Sequence, residues 1–359
     1  RIGLAGAEMA LEDELQSRAA EGGEPLALSL DVRFQQVVRE ELAATIETFS
    51  ALGGTGIVLD VHTGEVMAMV SLPDFDPNHA GDSQDEARFN RATLGVYELG
   101  SIFKVFTAGM ALEAGLVDLS SGYDASEPLR VARFTIRDYK PKNRWLSLPE
   151  ILVYSSNIGA ARMAMDVGAD GQQEFLRRIG LMMPSEIELP EVGDPIYPST
   201  WREINTMTIG FGHGIAVTPI QAASALAAMV NGGTLYQPTV LEWQSDLPPP
   251  GTRVISEETS NTLRLLTHLV VEYGSGRKAQ VDGYLIGGKT GTAEKLDSAG
   301  GYAEDRLLSS FAAAFPIDDP RYVILVSIDE PQGIEASYGY ATGGWTAAPT
   351  VGRIISRIG

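Results

Sequence analysis

Strand and helix signals are spread unevenly along this chain, with strands at both ends and helices between them. Near the start, residues 55–60 and 65–70 are β-prone runs flanking a turn that contains Thr63-Gly64, which is a hairpin signature. In the tail, strand character returns at residues 284–286 and through the glycines that follow, then at 309–315 and at 322–328. The links between these tail strands are too short for crossover helices, so they predict antiparallel pairing. A sheet that draws strands from both ends of a chain is covered by the helices in between. The expected fold class is therefore α+β: an antiparallel sheet covered by helices and joined to a helical lobe, not a doubly wound sheet.

Caps and periodicity place the helices. Asp31 can cap a helix running to about Phe49, with Phe34, Val37, Val38 and Leu42 on one face. Residues 101–115 repeat apolar side chains at helical spacing (Phe103, Phe106, Met110, Leu112, Ala114) and stop at Gly115. Further helices are expected at 218–230, ended by Gly232-Gly233, at 259–273 and at 347–358, with helices and loops in the rest of 116–250. Residues 26–30 have strand character. A short helix at 9–18, followed by the breaker Glu21-Gly22-Gly23-Glu24-Pro25, marks a boundary between residues 1–24 and one large domain, 25–359.

Composition excludes several classes. The 359 residues are 44% hydrophobic and 21% charged, enough for a sizeable core and unlike a disordered chain. A net charge of −20 repels a phosphate backbone, so no nucleic acid is expected as partner. With no cysteine there is no disulfide, thiol nucleophile or thiolate metal ligand. His62, His79, His213 and His268 are dispersed without metal-ligand spacing, so no metal is expected. No stretch approaches 18 apolar residues, and the chain opens at Arg1 without a signal-peptide pattern. It reads as cut from something longer, with any anchor outside it. Asp74 and Asp76 sit in a Pro-containing turn, where such residues serve the backbone.

Three short motifs carry the chemistry. Ser101-Ile102-Phe103-Lys104 sets a hydroxyl and an amine three residues apart at a helix start, on one face, so the amine can serve as base for a weak nucleophile. The pattern alone is not distinctive, since Ser275-Gly276-Arg277-Lys278 repeats it in a loop. Ser155-Ser156-Asn157 precedes a helical run from Ile158, and Lys289-Thr290-Gly291-Thr292 lies in strand context. A competing pattern, Gly283 to Thr290, satisfies the phosphate-loop spacing G-x-x-x-x-G-K-T. Context opposes it, because no helix signal follows and too few residues remain for a parallel sheet.

In this order the three motifs resemble the set shared by penicillin-binding proteins and class A β-lactamases. The likeness to class B penicillin-binding proteins runs along nearly the whole chain. It includes Arg91-Ala92-Thr93 and Tyr97-Glu98-Leu99-Gly100-Ser101, and Ile209 to Gln221, which is closest to the septal branch. Residues 3–15 resemble the end of these proteins' non-catalytic N-terminal (pedestal) domain. Leu99, Ile102, Val105 and Ser156 depart from common family residues but flank the chemical groups.

The resemblance implies a serine D,D-transpeptidase with the penicillin-binding/β-lactamase-like fold and no cofactor. Ser101 would attack the D-Ala-D-Ala bond of a peptidoglycan stem peptide, with Lys104 as base, and an amine of a second stem peptide would take the acyl group. Ser155 would relay a proton and Asn157 hold the donor. Lys289, Thr290, Gly291 and Thr292 would bind the terminal carboxylate. The N–H groups of Ser101 and Thr292 would form the oxyanion hole. β-Lactams would acylate Ser101 and leave slowly, because Glu174-Phe-Leu-Arg-Arg does not supply the Glu-x-x-Leu-Asn loop of a β-lactamase. The resemblance further implies a membrane-anchored protein at the periplasmic face of the bacterial inner membrane, with a glycan polymerase and division proteins as partners. A lysine in water titrates at about 10.4, so holding one neutral at pH 7 costs about 4.6 kcal/mol and the site must depress Lys104. Burial and the Lys289 charge both act in that direction.

Overall fold

The strand signals at the two ends of the chain meet in a single sheet. Its members are β1 (Gly53–Asp60), β2 (Val66–Leu72), β3 (Gly287–Leu296), β4 (Tyr302–Phe315) and β5 (Tyr322–Asp329), in the order β2-β1-β5-β4-β3 with every pair antiparallel. The structure is a computed structural model and describes residues 3, 5–23, 25–76, 78–79, 83–296 and 301–359. Glu24 of the expected breaker and Pro77 of the acidic turn lie outside the described residues.

Alternation along the strands divides the core in two. Ile57 and Leu59 of β1, with Val323 and Leu325 of β5, face one apolar cluster; Val58, Ile324 and Val326 face the other. The second face is covered by α1 (Val32–Thr48) and, from the other end of the chain, α6 (Ala347–Ile358), through Val38, Leu42, Val351 and Ile354. The first face carries the helical lobe, in which α2 (Phe103–Glu113), α3 (Asn157–Arg178), α4 (Pro219–Val230) and α5 (Glu257–Tyr273) share one core. Asp31 caps α1 by accepting from Arg33 N at 2.8 Å, and Thr218 caps α4 in a reciprocal box with Gln221.

Several expectations need correction. Residues 26–30 form no strand, because their partner segment offers one isolated bridge, Leu28 to Leu241. The first tail strand starts at Gly287, not at 284, where Tyr284 N closes a turn on Val281 O. The helix expected at 9–18 is two helices, Gly6–Ala10 and Glu12–Glu21, ended by Gly22 at φ +65°. Two small ribbons in the lobe were not expected, pairing Gly122–Asp124 with Trp145–Ser147 and Leu129–Val131 with Phe134–Ile136.

Candidate active site

Ser101 does not start α2 directly; it lies in a 3-10 turn, Gly100–Ile102, that leads into it. Gly100 makes that turn possible, since its φ of +54° is strained for any side chain and a Cβ there would stand 2.6 Å from Thr292 O. Every residue of α2 from Phe103 to Ala111 is buried, as its apolar composition on all sides requires. Lys104 is carried inside with them and is 1% exposed. A buried amine needs partners, and the second motif supplies them.

The Lys104 Nζ lies 2.9 Å from Ser101 Oγ, 2.6 Å from Ser155 O, 3.1 Å from Ser155 Oγ and 2.7 Å from Asn157 Oδ1. From β3, Lys289 Nζ donates to Ser155 Oγ at 3.0 Å and to Thr290 O at 3.1 Å. Ser155 holds its place through a left-handed backbone, φ +57°, which turns its hydroxyl and carbonyl together onto the two amines. Its neighbour Ser156 performs the helix capping, accepting from Gly159 N at 3.0 Å. Asn157 is oriented by its other end, Nδ2 donating to Arg137 O at 2.9 Å.

Burial and then the Lys289 charge hold the Lys104 amine well below its usual range, while Asp138 pulls in the opposite direction. Burial lowers Lys289 to about 7. A neutral lysine amine has two N–H donors and one lone pair. Its two shortest contacts are to Ser155 O and Asn157 Oδ1, which can only accept, so both N–H groups are engaged there. The lone pair is left for a hydroxyl proton, and Ser101 offers one at 2.9 Å. That is the arrangement of an activated nucleophile without histidine.

The third motif runs along β3 beside Ser101. Thr292 Oγ1 accepts from Gly343 N at 3.1 Å, and Thr290 Oγ1 is bonded to Ser275 Oγ at 2.5 Å. Ser101, Lys104, Ser155, Asn157, Lys289, Thr290, Gly291 and Thr292 therefore lie together in one cluster. The phosphate-loop alternative is excluded in the same region, because Lys289 and Thr290 continue as strand to Leu296 where that loop would open a helix.

Three residues of the site were not anticipated. Ser275, from the second Ser-x-x-Lys pattern, contributes its hydroxyl to Thr290. Asp138 accepts from Ser156 Oγ at 2.7 Å and from Ile158 N at 3.0 Å, fixing the start of α3. His213 is kept below its usual pKa by burial and by Lys104, and its ring packs between Phe211 and Tyr302.

The chain is also similar to known proteins. The penicillin binding protein transpeptidase domain family matches residues 54–356. The chain is 43% identical to a Caulobacter vibrioides protein named a probable peptidoglycan D,D-transpeptidase, FtsI, over 99% of this chain and 62% of that protein. It is 31% identical to the peptidoglycan D,D-transpeptidase FtsI of Escherichia coli K12, over 96% of this chain and 58% of that one. Identity to the stage V sporulation protein D of Bacillus subtilis is 34%, over 93% and 53% respectively. The chain thus spans between 53% and 62% of the length of these relatives. Among solved structures, the apo transpeptidase (TP) domain of Burkholderia pseudomallei penicillin-binding protein 3 matches with a TM-score of 0.82 at 30% identity, covering 92% of this chain and 95% of that one.

Proposed function

The chain belongs to the penicillin-binding protein transpeptidase family, septal branch, and on that premise we propose that it is the catalytic part of a peptidoglycan D,D-transpeptidase. The observation that carries this reading is the Ser101–Lys104 contact at 2.9 Å, made by an amine whose N–H groups are already committed to Ser155 O and Asn157 Oδ1. Lys104 takes the Ser101 proton as Oγ attacks the peptide carbonyl. Ser155 Oγ, 3.1 Å from Lys104 and 3.0 Å from Lys289, relays a proton to the departing D-alanine. Asn157 steadies the donor, and Lys289, Thr290, Gly291 and Thr292 receive its terminal carboxylate. The backbone N–H groups of Ser101 and Thr292 serve the oxyanion, with single donors of this kind worth about 10²–10³ in rate. Incubation with a labelled penicillin followed by peptide mass spectrometry should find one stable adduct, on Ser101. No adduct, or one on Ser275, would overturn the reading.

The pH profile of acylation tests the electrostatics. The base must be neutral, so the rate rises with pH as Lys104 loses its proton. Lys289→Gln removes a positive charge that favours the neutral amine, so the Lys104 pKa rises and the ascending limb should move to higher pH. A limb that stays in place would show that burial alone depresses Lys104.

The catalytic unit starts ahead of the family match at residue 54. α1 covers β1 and β2 from the second face, which supports residues 25–359 as the transpeptidase domain and 1–24 as the end of a non-catalytic domain and its linker. Among the described residues no helix is long and apolar enough to cross a membrane. Peptidoglycan lies outside the inner membrane, so the reading includes a periplasmic, membrane-anchored enzyme that works with a glycan polymerase and division proteins.

A further inference from the structure

Positive charge is scarce in this chain and unevenly spread. Against a net charge of −20, the stretch 130–144 carries Arg130, Arg133, Arg137, Lys140, Lys142 and Arg144 with a single carboxylate, Asp138. That carboxylate is occupied at the start of α3 by Ser156 Oγ and Ile158 N. All six cations are exposed. In the ion pairs of the described residues, Arg144 with Glu150 is the one member of the six that meets a carboxylate.

The neighbouring lysines rest on aromatic rings instead. Lys140 Nζ lies 5.6 Å from the Tyr340 ring centre and 5.9 Å from that of Tyr139, and Lys142 Nζ is 4.3 Å over Tyr154. A ring face orients an ammonium without neutralising it, so its charge remains available to a ligand. Tyr139 and Tyr154 belong to the helical lobe. Tyr340 lies in the β5–α6 connection, whose Gly343 N donates to Thr292 Oγ1, so Lys140 links the lobe to the connection that packs on β3. Arg137 connects the strip to the site, its carbonyl accepting from Asn157 Nδ2.

We propose that Arg137, Lys140 and Lys142, set among Tyr139, Tyr154 and Tyr340, form the surface that recognises the acceptor stem peptide through its carboxylates. This deepens the transpeptidase reading and rests on it. In the transfer step the acceptor amine attacks the ester carbonyl of the acyl-enzyme, forming the C–N bond as the bond to Ser101 Oγ breaks. The proton lost by the amine passes through Ser155 and Lys104 to Oγ, restoring the hydroxyl. By microscopic reversibility the acceptor amine enters where the D-alanine amine left, on the Ser155 and Lys289 side, and the strip borders that side at Asn157, through Arg137 O. Water carries no carboxylate, so the same surface favours transfer over hydrolysis.

The test compares two acceptors, a stem peptide with free carboxylates and the same peptide with its carboxylates amidated, using a labelled thioester donor. The wild-type chain should transfer to the free-acid peptide about tenfold faster or more, with the difference shrinking at high salt. In Lys140→Glu/Lys142→Glu, the ratio of transfer to penicillin acylation should fall about tenfold for the free-acid peptide and hold for the amidated one. Equal transfer to both peptides by the wild-type chain overturns the proposal without relying on any variant. Preserved transfer with free-acid preference in the double variant also overturns it. A wild-type chain that penicillin does not acylate would instead bring down the transpeptidase reading and the acceptor surface with it.

Discussion

Lys104→Met should slow acylation of Ser101 by penicillin by about 10²–10⁴, the usual contribution of a positioned general base. The substitution keeps about the volume of a fully buried side chain, so the helix retains its packing. Stability should change little, because two effects oppose each other. Removing the amine relieves its desolvation, whereas Ser155 O and Asn157 Oδ1 each lose a donor, at about 1–3 kcal/mol apiece if left unsatisfied. Lys104→Arg should restore no activity, since a guanidinium does not give up its proton at these pH values. Rapid-mixing acylation kinetics with thermal melting separate the outcomes. A Met variant that acylates within tenfold of the wild-type rate would remove Lys104 as base; a large loss with an intact melt is the expected result.

The reach of the sequence is set by how locally each feature is encoded. Ser101 and Lys104 share one helical turn, and Ser155 with Asn157 occupies three consecutive residues, so their spacing is readable before any fold. The five-stranded sheet is legible for a similar reason, because β1 and β5 are short, mostly apolar runs, buried on both faces. Ser275 reads as a decoy, since its own motif does no chemistry. Its contact with Thr290 arises because the end of α5 and the loop after it pack against β3, and nothing near Ser275 encodes that. Asp138 is hidden likewise in a run of cations. The ribbons between 122 and 147 have three residues per strand, too short for a period-two pattern to emerge. Residues 26–30 have the alternation but lack a partner strand of matching length.

Gly291→Ala should reduce acylation by about 10²–10³, although residue 291 contributes no side chain to the chemistry. Three backbone segments meet beside Ser101 with no room for a Cβ. One on Gly291 would stand 2.2 Å from Leu99 O, and one on Gly212 would stand 2.1 Å from Gly100 O. At Gly291 the obstruction is a backbone atom, with Ile102 Cγ1 at 3.1 Å behind it, so no change of rotamer can relieve the overlap. Either β3 moves away from the turn holding Ser101, or that turn moves away from β3. Both movements separate the N–H groups of Ser101 and Thr292, which the proposed mechanism uses together for the oxyanion. The strand is tied to β4 from Gly287 to Leu296, so the displacement should be local, with a stability loss of about 1–3 kcal/mol from overpacking. The affinity for penicillin before acylation should be less affected than the acylation rate, because Lys289 and Thr290 remain on the strand. Saturation kinetics distinguish the two effects. A variant that acylates at the wild-type rate would show that this close approach does not hold the oxyanion donors in register. A loss confined to the acylation step would identify the glycine as the reason that a strand and a helix start can serve one carbonyl together.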